Sequence, residues 1–160
     1  MRNLNNPLNR NLLAERVAVV DLQAHFSLNQ TMPKRRGRLL IIDDESELRD
    51  VLIALLEDCV EEISEAANGL EAMEILTHKK FDAILSDEKM PRKSGLEVLK
   101  WLRDRGADTP FIIHSGFSHV DLIPEASRLG VFAIIDKPWD ENMLIQTVCN
   151  AIDNGLAKKP

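Results

Sequence analysis

Hydrophobic and polar positions follow a regular pattern from residue 38 to the end of the chain. Short apolar runs of strand length alternate with segments in which apolar residues recur every three or four positions, as on one face of a helix. The predicted strands are 39–42, 62–66, 81–86, 111–115 and 131–135. This alternation, with short connections, predicts an α/β domain with a parallel five-stranded sheet covered by helices on both faces.

The helices are predicted from their apolar stripes and from residues that start or stop helices. Ser46 is expected to cap the first helix, and Asn68-Gly69 to turn the chain into the second. Leu70 in the second helix and Met143 in the last are expected to face the sheet. The other predicted helix ranges are about 46–57, 95–103, 120–129 and 140–154.

The amino-terminal residues differ from this regular body. Residues 1–10 are rich in Asn and are expected to be disordered, whereas residues 11–28 have the apolar spacing of an amphipathic helix. Such a helix would bury its stripe on this domain or on a partner. A third alternative is that residues 1–31 would come from an over-extended start-codon choice and would have no selected structure, because Met32 lies shortly before the first strand. We divide the chain into an extension at 1–37 with a basic linker at 34–38, a domain at 38–156, and a tail at 157–160.

Charge and composition narrow the class of protein. Residues 1–38 carry seven Lys or Arg and two Asp or Glu, whereas residues 39–160 carry thirteen Lys or Arg and twenty-four Asp or Glu. An acidic body disfavours direct nucleic-acid binding. No apolar stretch approaches the ~20 residues of a membrane span, and no secretory signal is visible, so we expect a cytoplasmic protein without membrane contact.

Cysteine and histidine offer no metal motif in the sequence. Cys59 and Cys149 lie far apart, with no CxxC pair, and are expected to be buried small hydrophobic residues. The four histidines have no zinc-binding spacing and are expected to be structural or to face solvent.

Polar or charged residues follow four of the predicted strands. Asp43 and Asp44 follow the first strand, Asp87 the third, Ser115 the fourth and Lys137 the fifth. Carboxylates placed together repel one another unless a cation joins them, and Mg2+ favours such oxygen ligands. A carboxylate, a hydroxyl, an ammonium group and Mg2+ together suit phosphoryl transfer, with Asp87 as the nucleophile. There is no GxxxxGK[ST] loop for nucleotide binding.

These features resemble the receiver domain of bacterial two-component response regulators over residues 38–156. The resemblance rests on the Asp43-Asp44 pair, the Asp-x-x-Met-Pro-x-x-x-Gly element at 87–95, Ser115, and Lys137-Pro138. It implies a flavodoxin-like, doubly wound sheet in the order 2-1-3-4-5. It also implies a single-domain member with an amino-terminal extension.

The resemblance assigns expected roles to the site residues. Asp44 would bind Mg2+ directly, Asp43 would act mainly through water, and Lys89 would contribute its backbone carbonyl. Asp87 would be phosphorylated, and Lys137 would pair with Asp87 or its phosphate. The peptide bond from Lys137 to Pro138 is expected to be cis.

Several positions depart from the family pattern. Ile134 stands where a switching Tyr or Phe is usual, and Phe132 has the same strand parity and is a candidate substitute. Lys89 and Phe117 occupy the positions that flank the path of the hydrolytic water, so we expect slow self-dephosphorylation. Gly116 replaces a frequent Ala.

The expected function is that of a phospho-acceptor rather than an enzyme with a separate substrate. A sensor histidine kinase or a histidine phosphotransfer protein would donate the phosphoryl group, and the signal would pass to a protein target or through a homodimer. No output domain is expected after Asn154. One alternative is a pseudo-receiver, an interaction module that phosphorylation does not regulate. Another is a metal-dependent hydrolase, which needs a second acid; Glu88 is adjacent but is expected to point away from Asp87.

Overall fold

The computed structural model describes residues 37–116 and 121–159. Within these ranges five strands alternate with five helices. The predicted helix at 11–28, the basic linker up to residue 36 and Phe117 lie outside them. In chain order the elements are β1 (Arg38–Ile42), α1 (Ser46–Leu56), β2 (Glu62–Ala66), α2 (Gly69–His78), β3 (Ala83–Asp87), α3 (Gly95–Asp104), β4 (Phe111–Gly116), α4 (Ile123–Arg128), β5 (Ala133–Lys137) and α5 (Glu141–Ala157).

All five strands pair in parallel in the order β2-β1-β3-β4-β5, which confirms the predicted topology. Strand residues of one parity pack with α1 and α5, where Leu52 and Val148 are buried. Residues of the other parity pack with α2, α3 and α4, where Leu99 and Ala126 are buried. Strand β1, which lies between β2 and β3, is apolar on both sides because both of its faces are covered.

Three local predictions about the helices are wrong. Ser46 is the first residue of α1 rather than its cap, because Asp43 Oδ1 accepts from the Glu45 amide at 2.9 Å and closes the turn one residue earlier. Leu70 is exposed because the inward face of α2 is formed by Ala72 and its neighbours. Met143 is exposed because the buried row of α5 begins one position later.

Several element boundaries also differ from prediction; β3 begins at Ala83 rather than at residue 81, and α5 continues to Ala157 rather than to residue 154. Helix α4 begins at Ile123, with Pro124 in its first turn, where a missing amide hydrogen costs nothing. Strand β5 begins at Ala133, two residues later than predicted. The reason is that the Val131 amide donates to the Ala126 carbonyl and Gly130 has φ +67°, so Val131 still belongs to the turn that ends α4.

The amino edge of the sheet is tied together by side chains. Arg103 donates to four backbone carbonyls in the loops before β4 and β5. Asp82, the residue before β3, accepts from the Arg38 amide at 2.8 Å, and Gly155 of α5 packs directly against the Asp82 backbone. Among the described helices, none is long and apolar enough to cross a membrane.

Candidate functional site

The carboxyl ends of β1, β3 and β5 bring together three of the predicted site residues. Lys137 Nζ lies 2.8 Å from Asp87 Oδ1 and 3.4 Å from Asp43 Oδ2. Asp43 is fully buried and Asp87 is 6% exposed. These strands are adjacent or nearly adjacent in the sheet, so residues far apart in sequence meet at one edge. The result is a pocket in which one ammonium group joins two buried carboxylates.

The other predicted residues lie on β4, on β5 or in the loops that follow β1 and β3. Asp44 and Lys89 are exposed in the loops that follow β1 and β3. Ser115 is buried near the end of β4, one residue after the position that pairs with Asp87. Ile134 is half-buried in β5 and packs against the core layer of α2, α3 and α4.

Burial and charge act in opposite directions on the pocket. Burial raises the pKa of the Asp43 carboxyl above its ordinary value, although the Glu45 amide and Lys137 oppose the change. Burial alone would lower the pKa of Lys137, but its hydrogen bond to Asp87 and the charges of Asp87 and Asp43 outweigh it and raise that pKa. Lys137 is therefore held as a cation by the carboxylates it neutralises.

The loop from β3 to α3 is held by residues next to Asp87. The Gly95 position is close to the Asp87 carbonyl, and a Cβ there would lie 2.5 Å from that oxygen, so glycine is required. Glu88 Oε2 accepts from the Leu96 amide at 2.9 Å, at the start of α3. Burial raises the pKa of the Glu88 carboxyl, and the Leu96 amide opposes it. The side chain of Ser94 caps the same helix in a capping box with Glu97.

The peptide bond between Lys137 and Pro138 is cis, as the resemblance implied. Trp139 follows directly, and its ring meets the ring of His114 edge-on, with centroids 5.3 Å apart and planes at 80°.

His114 is the member of this site that sequence reasoning missed. It pairs in register with Asp87, is fully buried, and places Nε2 3.5 Å from Asp43 Oδ2. Burial, with a smaller contribution from Lys137, lowers the pKa of His114 to about 3, so the ring is neutral at pH 7. One signal was available in the sequence: His114 has the parity of Ile112 in a continuous apolar run, which is typical of a strand buried on both faces.

The oxygen donors of the pocket fit a hard divalent cation. Asp43 and Asp87 offer buried carboxylates, and Asp44, the residue after Asp43, has an exposed carboxylate. Mg2+ needs only one or two protein carboxylates because it keeps several waters. The carboxylate oxygens therefore agree with the predicted Mg2+ site. The imidazole of His114 is a nitrogen donor and was not among the predicted Mg2+ ligands.

The fold and site together define a class: doubly wound α/β domains with an acidic pocket and a lysine at the carboxyl edge of a parallel sheet. The family model of the response regulator receiver domain matches residues 39–149. The chain belongs to this family of two-component signalling domains.

Individual relatives agree with this assignment. Response regulator protein PilR of Pseudomonas aeruginosa is 31% identical over 117 residues, which cover 73% of this chain and 26% of PilR. Sporulation initiation phosphotransferase F of Bacillus subtilis is 32% identical over 103 residues, which cover 64% of this chain and 83% of that protein. The chain spans about a quarter of the length of PilR and of NtrC of Escherichia coli.

Solved structures give the same answer for the fold. A response regulator receiver domain protein from Clostridium thermocellum is 28% identical with a TM-score of 0.70, over 77% of this chain and 99% of that chain. Chemotaxis response regulator CheY4 of Vibrio cholerae is 26% identical with a TM-score of 0.66, over 73% of this chain and 99% of that chain.

Proposed function

We propose that the chain is a phospho-acceptor that takes a phosphoryl group from a histidine kinase or histidine phosphotransfer protein onto Asp87. One observation carries the proposal: Lys137 Nζ contacts Asp87 at 2.8 Å in a pocket that also holds the buried Asp43 carboxylate. The chain's membership of the receiver family supports it. We place this chemistry in the cytoplasm, where kinase domains of this kind act on receivers.

The transfer is an attack of an Asp87 carboxylate oxygen on phosphorus. A new P–O bond forms, the P–N bond to the donor imidazole breaks, and its electron pair returns to that imidazole. The Lys137 ammonium group offsets charge on the phosphoryl oxygens, and the Ser115 hydroxyl donates a hydrogen bond to one of them.

Mg2+ would be held by Asp43, Asp44, Asp87 and the backbone carbonyl of Lys89. When bound, it supplies positive charge that offsets repulsion between the carboxylates and the incoming phosphoryl group.

The phosphorylated form signals through protein contacts, to a target or to a second copy of the chain. Ile134 bears on how it does so, because an aliphatic side chain half-buried in β5 cannot make the usual change of an aromatic ring from exposed to buried. The same residue supports the second candidate function, a pseudo-receiver that interacts with partners without being phosphorylated. A hydrolase is disfavoured because the Glu88 carboxylate is engaged by the Leu96 amide and is not poised to activate water.

Intact-mass measurement tests the proposal. The purified protein is incubated with Mg2+ and acetyl or carbamoyl phosphate, beside the variants Asp87→Asn and Asp50→Asn; Asp50 is exposed on α1 and serves as the matched control. We expect a gain of about 80 Da, one phosphoryl group, in the wild type and Asp50→Asn but not in Asp87→Asn. If the wild type gains no mass, the pseudo-receiver function replaces the acceptor.

A further inference from the structure

His114 has no role in the phosphoryl transfer described above, yet it lies at the base of the same pocket. The imidazole is fully buried, and within the described part of the chain neither ring nitrogen has a hydrogen-bond partner. An unpartnered buried polar group normally costs about 1–3 kcal/mol. Nε2 is directed toward Asp43, whose Oδ2 is 3.5 Å away. A neutral imidazole has one nitrogen lone pair, and when the ring proton is on Nδ1 that lone pair is on Nε2 and faces the Asp43 carboxylate.

The geometry suits one bound ion. One ligand atom from each of Asp43, Asp87 and His114 lies within 4.8 Å of the other two. Ligands about 2.1 Å from a common ion can be up to about 4.2 Å apart, so side-chain movements of less than about 1 Å bring all three atoms into range. Two carboxylates and one imidazole form a mixed oxygen and nitrogen donor set, which favours first-row transition ions over Mg2+.

We propose that Asp43, Asp87 and His114 form an inner cation site that takes a transition ion such as Co2+ or Zn2+. It shares Asp43 and Asp87 with the all-oxygen Mg2+ set, so the two ions would compete, but it uses His114 in place of Asp44 and Lys89. The inference concerns ion binding alone and does not depend on phosphorylation of Asp87.

Lys137 and the inner ion exclude one another. The ammonium group now contacts Asp87 Oδ1 and Asp43 Oδ2, which are two of the atoms that the ion would use. The Lys137 side chain is 20% exposed, so it has a path outward when an ion displaces it. Lys137→Met, which keeps the chain length and removes the charge, should therefore strengthen transition-ion binding.

Co2+ titration of the full chain tests the proposal, because Co2+ gives visible absorption bands that change when nitrogen ligates it. The fluorescence of Trp139, which contacts His114, gives a second readout in a Trp101→Phe background. The variants are His114→Leu and the matched control His78→Leu, whose histidine is exposed at the end of α2.

We expect His114→Leu to weaken Co2+ binding by about tenfold or more and to lose the nitrogen-dependent bands, while its Mg2+ affinity changes less than about twofold. His78→Leu should bind both ions as the wild type does, and Lys137→Met should bind Co2+ more tightly. Equal Co2+ binding by the wild type and His114→Leu would overturn the proposal, as would a parallel loss of Co2+ and Mg2+. A failure of phosphorylation appears only in the mass measurement, so the two proposals fail separately.

Discussion

Replacement of His114 by leucine is expected to stabilise the metal-free protein, which is unusual for a substitution in a core. Leucine fills a similar volume and has no polar atom, so it removes the penalty of a buried imidazole without partners, about 1–3 kcal/mol. The edge-on contact with Trp139 is lost, and such contacts contribute about 0.5–1.5 kcal/mol. The net expectation is a gain of about 1 kcal/mol in the free energy of unfolding at pH 7.

Acidification should enlarge this difference. The pKa of His114 falls from 6.5 to about 3 on folding, so protonation favours the unfolded chain. Above pH 6.5 the ring is neutral in both the folded and the unfolded chain, so it adds no pH dependence. As the pH falls from 6.5 toward 3, the ring is protonated only in the unfolded chain, and the folded protein loses stability. Each pH unit in that window corresponds to about 1.4 kcal/mol, so at pH 4.5 the wild type should have lost about 3 kcal/mol through this group.

Urea unfolding in EDTA at pH 7 and pH 4.5 measures both quantities, with the wild type and His114→Leu compared at each pH. Protonation of the carboxyl groups affects both proteins. The change with pH in the stability difference between the wild type and His114→Leu therefore reports the imidazole. A His114→Leu variant that is less stable than the wild type at pH 7 would refute the penalty assigned to the buried imidazole. A stability gap that does not widen on acidification would refute the lowered pKa of His114.

The remaining predictions concern packing, the amino edge and the phosphate lifetime. Gly155→Ala should lower the free energy of unfolding by about 3 kcal/mol because a Cβ there overlaps the Asp82 backbone oxygen. Gly116→Ala is the control, because the atom nearest to a Cβ at that position is 3.9 Å away, and it should cost under about 1 kcal/mol. Urea unfolding curves of both variants measure these costs. Arg103→Ala should cost about 2 kcal/mol or more by the same assay, since four carbonyls lose a charged donor. Replacing Lys89 and Phe117 by small polar residues should speed the loss of the phosphoryl group severalfold, as measured by intact mass over time. An unchanged rate would contradict the expectation that these two side chains obstruct the hydrolytic water.

Much of the fold could be predicted because it depends on local patterns. The strands at 62–66 and 111–115 are bounded by turn residues and agree with the structure to within one residue. Strand β5 was misplaced because Val131 and Phe132 have strand-like side chains, while the amide of Val131 is used to end α4. Side-chain propensity cannot reveal which hydrogen bond an amide makes.

The candidate site likewise contains residues that could be predicted from the sequence and one that could not. Asp43, Asp87 and Lys137 could be placed together because each ends a parallel strand, and such ends share an edge. His114 could not, because its importance depends on the register that sets it opposite Asp87 and on the side chain of Asp43 reaching over it. Those are contacts between distant segments, which no local pattern encodes.

The side-chain ties at the amino edge give the two ends of the sheet different mechanical properties. Arg103 fastens the loops that enter β4 and β5, and Asp82 fastens the start of β3 to the start of β1. The acidic pocket lies at the opposite end of the same strands. The amino edge therefore acts as a fixed base, and a movement that starts at Asp87 is directed into the carboxyl-edge loops and the helices they lead to, rather than through the sheet.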